Sequence, residues 1–135
     1  MKTQIDPLSK PKGVEAMVEA LLKKTMTRVK DLLGLTVVTR EGLPIASLSV
    51  AEIDEALVSA MSSAILVLAK RVTNELNRGD MNKTIIQGSD GLVVLMEAGT
   101  DALLLGVTNA NARMGVVLFD MERAASAIAE LVSPP

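Results

Sequence analysis

The chain carries several serines that could act as nucleophiles, but the sequence supplies nothing to activate them. Its 135 residues include no His and no Cys, which excludes Ser-His triads and thiol catalysis. A serine activated by Lys70 is the arrangement that remains, and we expect Lys70 to lie instead on the solvated flank of a helix. The sequence therefore predicts no catalytic residue and a protein that is not an enzyme.

Acidic side chains are the metal ligands and acid–base groups that remain in a chain of this composition. Asp90, Glu97, Asp101 and Asp120 are scattered and match no calcium-binding loop. Glu97 and Asp101 lie four residues apart across a turn, where solvated hairpin charges are the usual explanation. We therefore expect no metal site.

Phosphate-binding motifs are also missing from the sequence, since neither G-x-x-x-x-G-K-S/T nor G-x-G-x-x-G occurs. Arg40, Arg113 and Arg123 could bind an anion or reach a partner's nucleotide as an arginine finger. Their spacing carries no information, and we expect them to be turn and surface residues. The sequence thus predicts no bound cofactor.

Composition excludes further classes of function. The formal net charge is −2 and Phe119 is the single aromatic residue, so the chain lacks both the basic surface and the stacking platform of a nucleic-acid binder. The longest unbroken apolar run is Ala64–Ala69, whereas a membrane-spanning helix needs about 20 such residues. We expect no nucleic acid and no membrane as partners, and a cytoplasmic location.

The first half of the sequence predicts a helix, a β-hairpin and a second helix. Residues 1–12 show no periodicity and are interpreted as a flexible arm before a single domain at residues 13–133. Apolar residues then recur at helical spacing from Val14 to Leu32. The hairpin has strands at Leu35–Val38 and Leu43–Leu48; Pro44 cannot donate to a sheet ladder, which places the second strand at an edge.

The second helix is the longest and the most apolar. Ser49–Glu52 has the spacing of a capping box, and Asn77–Gly79 ends the pattern. At 100° per residue, its apolar arc spans roughly 200°, about twice what a helix on one sheet needs. We infer two partners for this helix, its own sheet and a second copy of the protein. The small residues in its middle would permit close approach of another helix: Ser59, Ala60, Ser62, Ser63 and Ala64.

Three strands and a closing helix complete the order of elements. Leu92–Met96 and Leu103–Val107 are continuously apolar, which is typical of central strands covered on both faces. Met81–Gln87 mixes polar and apolar residues and is expected at the other edge. The turn Gly88–Gly91 carries an Asp-Gly hairpin signal. A regular apolar pattern from Val117 to Leu131 predicts the last helix.

The ordered combination of these segments resembles the roadblock/dynein light-chain family. The resemblance runs from about Val14 to Val132, and its motifs are apolar segments and turn glycines in a fixed order. The segments that carry it are Val37–Ala46, the long helix, Val93–Gly99, Leu103–Val107 and Met114–Gly115.

The resemblance implies an α+β fold, an α/β sandwich with a five-stranded antiparallel sheet in the order 2-1-5-4-3. The long central helix would cover one face and the terminal helices the other. Members of the family commonly form homodimers by pairing the third strand with its symmetry mate and packing the two long helices together. They act as non-enzymatic scaffolds or regulators of Ras-like small GTPases.

The family's interaction surfaces are regions and not single motif residues, so the resemblance implies a dimer interface and partner platform on the long helix and the third strand. Because the chain lacks aromatic anchors, flexible residues such as methionines would have to supply the contacts. The residues expected there are Leu57, Ala60, Met61, Ala64, Ile65, Leu68, Val72, Met81, Lys83, Thr84, Ile85 and Ile86.

Two other functions stay open at this point. PAS-like sensor domains also set helices on an antiparallel sheet, although their pockets usually have aromatic linings. A purely structural subunit of a larger complex would have the same sequence features as a GTPase platform.

Overall fold

The computed structural model describes residues 12–132, so the predicted N-terminal arm lies outside the described residues except for Lys12, which begins a helix. Three helices and five strands follow one another in the predicted order. They are α1 (Lys12–Arg28), β1 (Leu32–Thr39), β2 (Pro44–Ser49), α2 (Glu55–Glu75), β3 (Lys83–Gly88), β4 (Gly91–Glu97), β5 (Ala102–Thr108) and α3 (Met114–Val132).

All five strands form one antiparallel sheet in the order β2-β1-β5-β4-β3, which confirms the expected topology. The apolar strands β4 and β5 lie inside the sheet, while β2 with Pro44 and the mixed strand β3 lie at its two edges. Edge position suits β2 because proline has no N–H for a second neighbour.

The core has two layers, one on each face of the sheet. On one face, α1 and α3 contribute Val18, Leu22 and Met121 to a cluster that includes Leu35 and Leu104 of the sheet. On the other face, α2 covers the second, smaller cluster, in which its buried residue Leu66 joins the sheet residues Val38, Leu95, Leu103 and Leu105. The expected sandwich, with the long helix alone on its face, is confirmed.

Two predicted helix boundaries are wrong. The helical spacing that ran on to Leu32 ends earlier, since α1 stops at Arg28 and Leu32 already begins β1. Ser49 does not open a capping box either. It still pairs with Gly34 in the sheet, and the N–H of Val50 donates to the carbonyl of Leu33 at 2.9 Å.

The N-cap of α2 is Asp54, whose carboxylate accepts from the N–H of Leu57 at 3.1 Å. Asp is among the preferred capping residues because its oxygen satisfies a backbone donor that the helix leaves unpaired. The helix therefore begins at Glu55, and the Ser-x-x-Glu pattern was a coincidence of spacing.

The turn between β1 and β2 docks directly on α2. The hydroxyl of Ser63 donates to the carbonyl of Arg40 at 2.6 Å. Gly42 has φ +96°, and a Cβ added there would lie 3.3 Å from both Cα of Ala60 and Cβ of Ser63. The small residues Ala60 and Ser63 thus make room for a turn of the same chain, and close approach of another helix to this part of α2 stays a prediction.

A carboxylate in the loop after α1 ties that loop to the start of α3. Asp31 accepts from the backbone N–H of Arg113 at 2.7 Å, and its two oxygens receive Nε and Nη2 of the Arg113 guanidinium at 3.1 and 2.7 Å. These hydrogen bonds and the positive charge lower the pKa of Asp31 from 3.8 to about 2, against the opposing effect of burial.

Acid should weaken the ion pair between Asp31 and Arg113. The pKa of Asp31 in the folded state lies below its unfolded value of about 3.9. The Asp31–Arg113 ion pair therefore stabilises the folded state above about pH 4, and this stabilisation is lost as the pH falls towards about 2. Asp31→Asn should unfold at lower urea than the unmodified protein at pH 7, with the difference shrinking between pH 5 and 2. Far-UV circular dichroism would measure the midpoints, and a difference that stays constant with pH would contradict this account.

Substitution of Gly42 tests how closely the β1–β2 turn packs against α2. Gly42→Ala and Gly79→Ala both place a Cβ at positive φ, +96° and +87°, but nothing lies within 4 Å of the Cβ at Gly79. The left-handed backbone should cost each variant about 1 kcal/mol of unfolding free energy. Gly42→Ala should lose roughly 1 kcal/mol more because its methyl group meets α2.

Urea unfolding of the two variants, followed by far-UV circular dichroism, measures that difference directly. Equal losses of unfolding free energy for Gly42→Ala and Gly79→Ala would show that a methyl group at Gly42 does not clash with α2.

Candidate functional site

The outer face of α2 is the main apolar surface that the fold leaves uncovered. Leu57, Met61, Leu68 and Val72 are 54%, 47%, 63% and 47% exposed, and Ala64 between them is also exposed. At 100° per residue these five residues fall on one stripe of the helix. We refer to them as the α2 outer face.

The sheet-facing side of α2 mixes serines with apolar residues. Its buried residues are Ser59, Ser62 and Leu66. The hydroxyl of Ser62 returns to the carbonyl of Val58 at 2.8 Å, and the hydroxyl of Ser59 is buried without a hydrogen-bond partner among the described residues. The helix thus turns Ser59, Ser62 and Leu66 to the sheet, where Val58, Ile65 and Ala69 also pack against the second cluster, and leaves Leu57, Met61, Leu68 and Val72 in solvent.

The wide apolar arc of α2 predicted two partners for this helix, and the structure shows which of its residues face the sheet. The sheet covers one side of the arc, and the side that remains exposed carries Leu57, Met61, Leu68 and Val72. Contiguous exposed apolar surface of this kind marks an interaction site in most soluble proteins. The α2 outer face is therefore the first element of the candidate site.

By length and composition alone, α2 is also apolar enough to cross a membrane, and only 17% of its most apolar 18-residue stretch is buried. The run-length argument from the sequence did not detect this, because scattered serines interrupt the run without lowering its average hydropathy much. In the fold, α2 packs chiefly over β1, β2 and β5. The absence of a membrane partner stays a prediction.

Strand β3 is the second element of the candidate site. In the part of the chain that the structure describes, it has a neighbour only on the β4 side. Thr84 and Ile86 pair with Leu95 and Val93, which belong to or pack on the cluster under α2, so these two side chains lie on the α2 side of the sheet. Ile85 and Ile86 are 38% and 45% exposed.

The opposite side of β3 faces α3. Ile85 and Lys83 pair with Val94 and Met96, which belong to the cluster under α1 and α3. The ammonium of Lys83 lies 3.0 Å from the carboxylate of Glu122 in α3. This ion pair anchors the start of β3 to the body of the domain.

Two of the expected interface residues lie below the surface. Met81 precedes β3 and is 7% exposed within the second core cluster, so the prediction that it lies on an exposed strand is wrong. Ile65 is half-buried against the same cluster. The other ten expected residues are exposed or half-exposed, with Ala60 beside the docked turn; whether they bind a partner stays a prediction.

The fold also assembles a charged cluster that the sequence did not predict. Oε2 of Glu97 accepts from the guanidinium of Arg40 at 2.7 Å and from the ammonium of Lys70 at 2.8 Å. Arg40 also donates to the carbonyl of Thr100 at 3.1 Å. These residues come from the β1–β2 turn, α2, β4 and the β4–β5 turn, and no spacing in the sequence signals their meeting.

The cluster sits in the wall of a half-open cavity of about 680 Å3, which Asn74 and Asp80 also line. Burial would raise the pKa of Glu97, but the hydrogen bonds and charges of Lys70 and Arg40 outweigh it and hold that pKa below its usual value. Glu97 is therefore ionised at neutral pH. The ion pairs and hydrogen bonds of the cluster connect α2 with the β1–β2 and β4–β5 turns.

The three arginines considered as anion-binding groups all have partners within the chain. Arg40 binds Glu97 and Arg113 binds Asp31. Arg123 lies 4.0 Å from Asp120 and stacks 5.7 Å from the centre of the Phe119 ring. Among residues 12–132, no three acidic side chains are close enough to hold a metal ion. The candidate site is the exposed surface made of the α2 outer face and β3.

Comparison with known proteins agrees with this architecture. The family model described as Roadblock/LC7 domain matches residues 17–109. The protein MJ0714 of Methanocaldococcus jannaschii is 33% identical over 115 residues, covering 85% of this chain and 96% of the relative.

Solved structures share the fold at low sequence identity. The gliding protein MglB from Thermus thermophilus has a TM-score of 0.85 and 17% identity, covering 98% of this chain and all of the other. An MglB with tetrameric arrangement has a TM-score of 0.84 and 18% identity, covering 95% of this chain and 96% of the other. With the family model matching most of the chain and a relative above 30% identity, the protein belongs to the Roadblock/LC7 family.

Proposed function

We propose that this protein is a homodimeric, non-enzymatic platform that binds and scaffolds or regulates a Ras-like small GTPase. Membership of the Roadblock/LC7 family supports the class of function. The single observation that carries the proposal is the α2 outer face, a stripe of large aliphatic side chains that the chain's own sheet leaves in solvent.

Self-association through α2 and β3 would cover both exposed elements at once. Two-fold pairing of β3 with its mate extends the sheet, and it brings the two α2 helices onto the same side of the extended sheet. The MglB described as tetrameric has the same fold, so self-association has a precedent among proteins of this architecture.

The GTPase would then bind the surface that the two helices form together. A surface of Met and aliphatic side chains adapts to its partner at modest affinity, because these side chains repack easily and offer few aromatic anchors. Such a surface suits a regulator that must release its partner.

A small-molecule sensor is the alternative, and the cavity beside Arg40, Lys70 and Glu97 is the feature that favours it. Its volume would suit a small ligand, but ligand pockets are lined mainly by apolar side chains with a few polar groups. In this cavity the charged groups are joined in ion pairs. The platform explains the larger exposed feature, so we prefer it.

An acidic residue on the α2 outer face should separate the dimer. Met61→Asp would place a carboxylate in an apolar contact, and we expect the dissociation constant to rise about a hundredfold, or ~3 kcal/mol. Met17→Asp is the matched control, since Met17 lies on α1 across the sheet and is 53% exposed against 47% for Met61.

Light scattering with refractive-index detection suits a chain without Trp or Tyr. The unmodified protein and Met17→Asp should have twice the 14.2 kDa mass of one chain, and Met61→Asp should have the mass of a single chain at micromolar concentration. A Met61→Asp variant that keeps the dimer mass would remove the α2 outer face from the interface.

Binding to a small GTPase should depend on the bound nucleotide. Immobilised protein would be incubated with lysate of its native host in excess GDP, and separately with a non-hydrolysable GTP analogue. Mass spectrometry should identify a Ras-like GTPase enriched severalfold in one of the two nucleotide states, because the switch segments of such GTPases differ between them.

The same two variants serve as controls. Met17→Asp should retain the GTPase and Met61→Asp should lose it. Recovery of the protein alone in both nucleotide states would reject the GTPase platform and leave the sensor or a structural subunit.

A further inference from the structure

A small apolar pocket lies between the sheet and the loop that leads into α2. Its volume is about 160 Å3. The pocket floor crosses three strands, where Gly34 of β1 pairs with Ser49 of β2 on one side and Val107 of β5 on the other. The loop residues Val50 and Ile53 also line the pocket. We refer to it as the Gly34 pocket, and all of its lining residues belong to one chain.

The pocket depends on the glycine in the middle of this row of residues. Thr36 pairs with Leu105, which belongs to the cluster under α2. Because side chains two residues apart lie on the same face of a strand, Gly34 also faces α2. A Cβ added at Gly34 would lie 3.3 Å from Oγ of Ser49, another lining residue. A side chain at this position would therefore take up space that the glycine leaves open.

The two polar side chains that line the Gly34 pocket already have hydrogen-bond partners. Oγ1 of Thr36 lies 3.0 Å from Oγ of Ser47, and Oγ of Ser49 accepts from the N–H of Ala51 at 3.3 Å. A polar group that entered the pocket would lose its water and find few partners, which costs free energy. A dry cavity of about 150 Å3 can bind benzene. The pocket therefore suits one apolar group of the size of a leucine or phenylalanine side chain.

The rim of the pocket favours a protein segment over a free small molecule. Val50 is 72% exposed, and Ile53 and Val107 are 37% and 36% exposed. A molecule small enough to enter the pocket would leave these three side chains in water. A protein segment that inserts one side chain would also cover the rim with its neighbouring residues, and the additional buried apolar area would strengthen binding.

Acidic residues beside the pocket determine the charge that such a segment must carry. Glu52, Asp54 and Glu55 are exposed and alternate with or follow the rim residue Ile53. Among residues 12–132, none of these three carboxylates forms an ion pair. No Lys or Arg occurs between residues 43 and 69. These charges repel lipid and nucleic-acid phosphates and attract Lys or Arg side chains.

We propose that the Gly34 pocket binds a segment of a partner protein in which one leucine or phenylalanine lies between basic residues. The apolar side chain fills the space above Gly34, and the basic residues lie against Glu52 and Glu55. This inference goes beyond the proposed dimer and its GTPase, because the pocket requires neither a second copy of the chain nor the α2 outer face.

A synthetic peptide provides the test. The probe is acetyl-Gly-Lys-Leu-Lys-Gly-amide, titrated into isotope-labelled protein while two-dimensional NMR follows the amide resonances of Val50 and Val107. One anchor and two charges should give a dissociation constant of about 1 mM. Replacing the leucine by alanine should weaken binding about tenfold, because it removes most of the buried apolar area. Replacing both lysines by glutamates should abolish binding.

Matched glycine variants locate the site. Gly34→Ala should weaken binding of the leucine peptide about fivefold, because its methyl group takes up part of the pocket. Gly88→Ala is the control and should bind as the unmodified protein does. Gly88 also lies in a strand, and a Cβ there would make an ordinary contact of 3.5 Å with the carbonyl of Gly91.

Matched charge variants keep the test valid if Gly34→Ala does not fold. The double variant Glu52→Gln/Glu55→Gln changes exposed side chains alone. It should weaken binding of the leucine peptide about fivefold through the loss of two exposed charge pairs. Glu75→Gln, at the other end of α2, should leave binding unchanged.

The remaining outcomes would overturn the inference. Equal binding of the leucine and alanine peptides would show that no side chain enters the pocket, as would equal binding by Gly34→Ala and the unmodified protein. Saturable shifts with benzene but none with the leucine peptide would identify a site for small apolar molecules. Absence of a response to every probe would also reject the segment, and intermolecular NOEs to Val107 would then identify a second copy as the occupant.

Discussion

The orientation of α2 on the sheet is the constraint on which the rest of the structure depends. The helix turns Ser59, Ser62 and Leu66 inward, and the glycine turn at Gly42 fits against its small residues. This leaves Leu57, Met61, Leu68 and Val72 in water, without the free energy that their burial would contribute. Binding of a partner over such a stripe would stabilise the fold further, because a partner that binds only the folded state shifts the unfolding equilibrium.

Strand β3, at one edge of the sheet, is a second exposed element. β2 ends the sheet with Pro44, whereas β3, within residues 12–132, pairs with β4 alone. An unprotected edge of this kind tends to pair with another strand unless charge or proline blocks it. Lys83 is the one charged side chain within β3, and Glu122 of α3 holds it. The charge of Lys83 is thus paired within the chain and does not block this edge.

Ion pairs hold the layers and turns around these surfaces. Asp31 and Arg113 join the loop after α1 to α3, and Glu97 joins α2 to two turns through Lys70 and Arg40. These contacts take up charged residues that the sequence alone could have assigned to catalysis or anion binding. Their geometry supports positional roles, in which a carboxylate fixes the place of a turn or a helix end.

The sequence by itself determined the order of elements, the two edge strands and the surplus of apolar residues on the long helix. Proline, continuous apolar runs and helical spacing are local signals, and each acts on the backbone of its own segment. The tertiary structure alone decided which side of α2 meets the sheet, that Met81 is buried, and that Arg40, Lys70 and Glu97 meet. These features depend on contacts between residues far apart in the chain, where steric fit and charge pairing are settled only once the layers have packed.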